Sequence, residues 1–158
     1  MQININTPVK PQAPIVEEWM RWEPIEELAP KYTIETICEN ERTLFIILYE
    51  VRDKKKKIRV TFEDAADSYK NTFEFFRMDL INDLCTRYGA SFFKEWTFFQ
   101  VTHSPYMQWL RQQSRGLAGG MGFIHFSFIT SNSVLDVLST KDPHVEVLAP
   151  QEERYVRS

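Results

Sequence analysis

Thr43-Leu44-Phe45-Ile46-Ile47-Leu48-Tyr49 (TLFIILY) is almost continuously apolar and too short for a typical helix. That combination predicts a central β-strand buried on both faces. The sequence on either side agrees. Upstream, Tyr32 to Cys38 alternates polar with apolar, and Glu39-Asn40-Glu41 makes a turn. Downstream, Asp53 and the lysines after it turn the chain again. Ile58, Val60 and Phe62 then alternate with Arg59, Thr61 and Glu63, as on a half-buried strand. These three strands form an antiparallel meander.

Further along, Asp67 or Ser68 is placed to cap a helix carrying Tyr69, Phe73, Phe76, Leu80, Leu84 and Tyr88 at three- and four-residue spacing, with Gly89 as its stop. Phe92 to Val101 reads as a strand. Ser104-Pro105 starts a second helix, since serine caps free amides and proline lacks only an N–H that the first turn does not use. That helix carries Tyr106, Trp109 and Leu110 and ends near Gly116. The stretch 116–122 (GLAGGMG) reads as a flexible loop. Phe123 to Ile129 and Val134 to Leu138 form a hairpin about Ser131-Asn132-Ser133, and Val145 to Leu148 offers a short last strand. The expected fold class is α+β: one antiparallel sheet of about six strands, in the order βββ-α-β-α-ββ, with two main helices packed on one face.

Residues 1–14, with Pro8, Pro11 and Pro14, read as a flexible arm. Ile15 to Pro30 is acidic, broken by Pro24 and Pro30, and reads as a short helix plus an irregular arm, with Trp19 and Trp22 on one face of a helical turn. Residues 15–150 then form a single domain and residues 151–158 a frayed tail.

The chain has 158 residues, 43% hydrophobic and 14% aromatic, enough to fill a sizeable core. Its net charge is −3 and its isoelectric point about 5.7. That balance disfavours nucleic acid, whose phosphates call for an excess of basic charge. Cys38 and Cys85 are far apart, form no CxxC pair and read as small buried hydrophobes. The N-terminus has no apolar signal core and no stretch approaches a membrane span, so the expected location is the cytoplasm.

The surface most suggestive of function is 105–115 (PYMQWLRQQSR), which joins Tyr106, Trp109, Arg111 and Arg115 to the loop holding Gly119 and Gly120. Tyrosine, tryptophan and arginine supply the rigid area and planar donors that interfaces favour. Arg52, Lys54, Lys55, Lys56, Lys57 and Arg59 place six cations within eight residues. The plain reading of this basic patch is a solvated turn that discourages strand edges from pairing. The glycine stretch is no phosphate cradle, because a strand does not precede it and no lysine closes it. His103, His125 and His144 show no ligand spacing, so no metal and no cofactor is expected. His103, His125 and Asp136 mark a candidate pocket for acid–base chemistry, with no catalytic residue assigned. No GxSxG elbow is present, and Ser104 is accounted for as a cap.

The order of landmarks in residues 92–147 is Trp96-Thr97-Phe98-Phe99-Gln100-Val101, His103-Ser104-Pro105-Tyr106, Trp109-Leu110, His125-Phe126, Val134-Leu135-Asp136-Val137-Leu138 and Pro143. It resembles small bacterial proteins of the kind that serve as immunity partners of secreted polymorphic toxins. The resemblance implies a cytoplasmic, non-enzymatic α+β protein that binds a protein partner; it carries over no catalytic residue. The expected function is therefore a protein-binding module, of the immunity type, that occludes a toxin or other partner. The alternatives are a small hydrolase using histidine and aspartate in a pocket, and a structural or assembly protein using its proline-rich arm.

Overall fold

A computed structural model of the chain describes residues 16–64 and 66–150. The arm expected over 1–14 and the tail expected over 151–158 lie outside the described residues. In chain order the elements are β1 (Glu18–Arg21), β2 (Tyr32–Asn40), β3 (Thr43–Glu50), β4 (Lys57–Phe62), β5 (Ala66–Phe73), α1 (Met78–Tyr88), α2 (Ser91–Lys94), β6 (Phe98–Thr102), α3 (Pro105–Gln113), β7 (Ile124–Ile129), β8 (Ser133–Ser139) and β9 (His144–Leu148). Short 3₁₀ turns occupy Glu74–Arg77 and Leu117–Gly120.

The class is α+β, but the strands form two antiparallel sheets rather than one. The meander β2-β3-β4 is extended by β9 into a four-stranded sheet, and β1-β6-β7-β8-β5 form a five-stranded one. Phe126, Phe128, Leu135 and Val137 of the larger sheet pack on Tyr32, Leu44, Ile46, Val60 and Phe62 of the smaller. Rings meet edge to face here, Phe62 and Phe126 with centroids 5.5 Å apart. Each such fully buried ring contributes roughly 1.5–3 kcal/mol of transfer free energy. The outer face of the five-stranded sheet carries Trp19, Phe99, Val101, Ile129 and Val134, packed against Ile81, Leu84 and Phe93 from α1 and α2. Lys31 ties the layers together: half-buried, its ammonium donates to the carbonyls of Phe93, Trp96 and Ile129 at 2.5, 2.9 and 2.5 Å.

Three local expectations change. The helix expected from Asp67 begins only at Met78, and the preceding residues form strand β5. Tyr69 and Phe73 are four apart, which puts them on one face in a strand as well as in a helix. Tyrosine, asparagine, threonine and phenylalanine in this stretch are weak helix formers, and pairing with β8 gains a ladder from Ala66 to Phe73. Trp19 and Trp22 do not share a helical turn. Trp19 lies in β1, and an odd spacing in extended chain sends the two rings to opposite faces, Trp19 toward α1 and Trp22 between the sheets. The strand expected from Phe92 starts at Phe98, after the single turn α2. The glycine-rich loop is partly ordered as a 3₁₀ turn behind Gly116, whose φ of 87° reverses the chain after α3.

Candidate functional site

On the outer face of the five-stranded sheet, α1 and α3 leave a cleft of about 360 Å³ between them. Its floor comes from the hairpin β7–β8. Alternation sends Phe126 and Phe128 to the inter-sheet core, so His125 and Asp136 face the helices. Asp136 is fully buried. Its Oδ1 accepts from His125 Nε2 at 2.6 Å and its Oδ2 from Arg77 at 2.9 Å. Burial alone would raise its carboxyl. The His125 hydrogen bond and charge, with the Arg77 guanidinium, outweigh that and hold it below the ordinary carboxylate value. As a carboxylate, Asp136 fixes His125 with its proton on Nε2, leaving Nδ1 the free ring atom. Arg77 reaches this site because the 3₁₀ turn Glu74–Arg77 carries the chain from β5 toward α1.

Aromatic rings flank the histidine: Trp19 at 6.3 Å and Tyr106 at 5.6 Å, both edge-on. Tyr106 is half-buried. Burial raises its phenol, while a hydrogen bond with Ser68 works the other way. Lys70 lies 4.5 Å over the Tyr106 ring. Glu17, Asp79 and Asp83 complete the charged lining. Two buried ring nitrogens of lining residues, Trp19 Nε1 and His125 Nδ1, have no hydrogen-bond partner among the described residues.

Of the three residues expected in a pocket, His125 and Asp136 meet there and His103 does not. His103 is exposed, at φ 54°, in the bend that leads into α3. Ser104 caps α3 by accepting from Met107 N at 3.1 Å. Among the described residues, the cleft lining holds no serine, threonine or cysteine. No cluster of three metal-binding side chains occurs among the described residues. His144 is exposed, 3.7 Å from Glu146.

In the helix expected to meet a partner, Trp109, Arg111 and Arg115 are exposed, as are Gly119 and Gly120 beyond it, whereas Tyr106 turns into the cleft. Within the basic patch, Lys57 pairs with Glu35 at 2.7 Å and Lys54 lies over the Tyr49 ring, while Lys55 and Lys56 are exposed. Cys38 and Cys85 are free thiols, half-buried rather than buried.

A second feature went unread in the sequence. Phe73, Phe75, Phe76 and Met78 are 60, 65, 69 and 48% exposed. Phe75 stacks with Phe73 at 6.2 Å and tilts against Phe76 at 4.2 Å. The cluster caps the end of β5, which among the described residues is an edge strand paired with β8. The signal was present as three phenylalanines in four residues (73–76), but helical spacing assigned two of them to a core.

Fold and site together define an α+β protein of two packed antiparallel sheets, with a polar cleft on one outer face and an aromatic cluster at an open sheet edge. Comparison with family models, with curated proteins and with solved structures finds no match in any of the three.

Proposed function

We propose that the protein is a binding module that occludes a basic protein partner, in the manner of an immunity-type inhibitor. The observation that carries this reading is the exposed cluster of Phe73, Phe75, Phe76 and Met78. Soluble chains rarely leave adjacent large rings in water, and such patches mark interaction sites. Covering one of these rings is worth roughly 2–3 kcal/mol before the costs of association.

The charge along the β5 edge that carries the cluster argues for the chemistry of the partner. From Glu63 to Asp79 the chain carries five carboxylates and two cations, and one of those cations, Arg77, is already paired with Asp136. Glu39 adds another carboxylate, hydrogen-bonded to Tyr69 of β5 at 2.9 Å. Lysines 54–56 sit in the turn at the other end of β3, and Lys57 opens β4. An apolar anchor at the end of a net acidic strand edge favours a partner of opposite potential.

The test is affinity capture of the tagged full-length chain from its native lysate at low and at high salt. The reading expects one stoichiometric partner of basic isoelectric point, held less well at high salt. A partner-free protein, or an acidic partner indifferent to salt, contradicts it.

A second reading, a small hydrolase, draws on the His125–Asp136 pair. Because the described lining offers no hydroxyl or thiol nucleophile on Ser, Thr or Cys, His125 would act there by activating water. Hydrolysis of acyl and phosphoryl esters that survives His125→Asn removes this reading.

A further inference from the structure

We propose that the partner joins the five-stranded sheet as an added strand: an extended, lysine- or arginine-rich segment whose backbone bonds the outward N–H and C=O groups of Tyr69, Asn71 and Phe73 on β5. This rests on the docking reading and names how that site binds.

The register fixes which backbone groups face outward. In the hairpin β7–β8, Thr130 N donates to Ser133 O at 2.9 Å, so Ser133 turns its backbone polar groups toward β7. Successive residues of a strand turn theirs to alternate sides. Val134, Asp136 and Leu138 therefore turn toward β5, where they stand opposite Thr72, Lys70 and Ser68. The bond from Glu74 N to Asn132 O, at 2.9 Å, continues that ladder. The intervening Tyr69, Asn71 and Phe73 turn their N–H and C=O groups away from β8, on the side where no strand pairs among the described residues.

The other sheet edges are blunted. Strand β1 has four residues and β9 five, and β2 is interrupted by a register shift between Ile34 and Thr36. Short and irregular edges resist pairing with another chain. In β5 the register shifts only at the start, between Ala66 and Ser68, and runs regularly from there to Phe73. Its one cation, Lys70, lies over the Tyr106 ring of α3. Asp67 stands near one end and Glu74 just past the other, and Glu39 accepts from Tyr69. In strand addition the main chain supplies affinity and side chains supply choice. Here the carboxylates select a basic segment, and Phe73, Phe75 and Phe76 seat its apolar residues at one end.

The experiment follows amide hydrogen exchange residue by residue along β5 of the full-length chain, alone and with a synthetic octapeptide of alternating lysine and valine. In the free chain, Tyr69, Asn71 and Phe73 should exchange roughly tenfold or more faster than Ser68, Lys70 and Thr72. The octapeptide should slow the first three, and its fully N-methylated form should not. Asn71→Pro removes an edge donor and spares the ladder to β8. It should weaken both the octapeptide and the captured partner roughly tenfold or more. No slowing by the octapeptide overturns the proposal, whether or not the proline variant folds. So does a free chain that sediments as a dimer with these three amides already protected, which would give the edge to a second copy. If wild type and a folded Asn71→Pro capture the same basic partner equally, the docking reading stands and the added strand falls. If wild type captures none, both fall.

Discussion

Asp136 is shared between His125 and Arg77: one carboxylate oxygen lies 2.6 Å from His125 Nε2 and the other 2.9 Å from the Arg77 guanidinium. This arrangement pins the 3₁₀ turn Glu74–Arg77 to the floor of the five-stranded sheet. It therefore sets where the exposed phenylalanines stand and where the cleft opens.

Asp136→Asn keeps the shape and removes the charge. Arg77, only 20% exposed at its side chain, is then left without a counter-ion. Breaking a buried pair in this way costs about 3 kcal/mol or more. Urea unfolding should show that loss, and the double variant Asp136→Asn/Arg77→Met should recover part of it. A loss below about 1 kcal/mol would mean the pair does not hold the turn.

The same carboxylate gives an acid limb. Its folded value lies below the ordinary 3.8, so the folded state binds its proton later than the unfolded chain does. The contribution of Asp136 is complete above 3.8 and fades as pH falls through the lower folded value. The stability gap between wild type and Asp136→Asn should narrow as pH falls below that point. A gap that stays unchanged down to pH values well below it would contradict the assignment.

Lys31 predicts the opposite edge of the pH range. Burial lowers its ammonium to about 8 from 10.5, with Glu74 working the other way. Below about 8 both states hold the proton and this group adds no pH dependence. Between about 8 and 10.5 the unfolded chain keeps a proton that the folded one releases, so its contribution to stability rises with pH. Lys31→Met should abolish that rise. It should also cost about 1–3 kcal/mol, because the carbonyls of Phe93, Trp96 and Ile129 lose their shared donor. Parallel denaturation curves across this range decide it.

Phe75 and Phe76 touch each other and solvent more than they touch the core. Phe75→Ser/Phe76→Ser should leave the melting temperature within a few degrees of wild type, since exposed substitutions shift stability by about 0.5 kcal/mol or less. A large drop would assign these rings to the fold rather than to a partner.

Much of the sandwich was legible because its strands advertise themselves. The buried run Thr43 to Tyr49 and the alternation of Ile58, Val60 and Phe62 each admit one period, and both appear as β3 and β4. Ser104-Pro105 likewise marks the start of α3 without ambiguity. The failures fall where the period was degenerate. A four-residue spacing fits helix and strand alike, so Tyr69 and Phe73 were placed on a helix that starts later. Trp19 and Trp22 fit a helical turn until β6 supplied a partner for β1, from Glu18 to Arg21. Partition into two sheets depends on which edges pair at long range. β9 chooses β4, some eighty residues upstream, and no local pattern encodes that. In the site, alternation along β7 turns His125 away from Phe126 and Phe128, which enter the core between the sheets. Its meeting with Asp136 follows from the hairpin register, but Arg77 and Trp19 arrive from segments whose structure was misread.

The most direct test of the docking surface compares three full-length chains in one capture experiment: wild type, Phe75→Ser/Phe76→Ser, and Arg111→Glu/Arg115→Glu on α3 and the turn after it. With all three folded, the account predicts that the phenylalanine variant loses the partner by roughly a hundredfold in affinity, while the arginine variant keeps it within a few-fold. Retention by the phenylalanine variant, with loss in the arginine variant, would move the interface to α3 and contradict the assignment to the acidic, aromatic edge of β5.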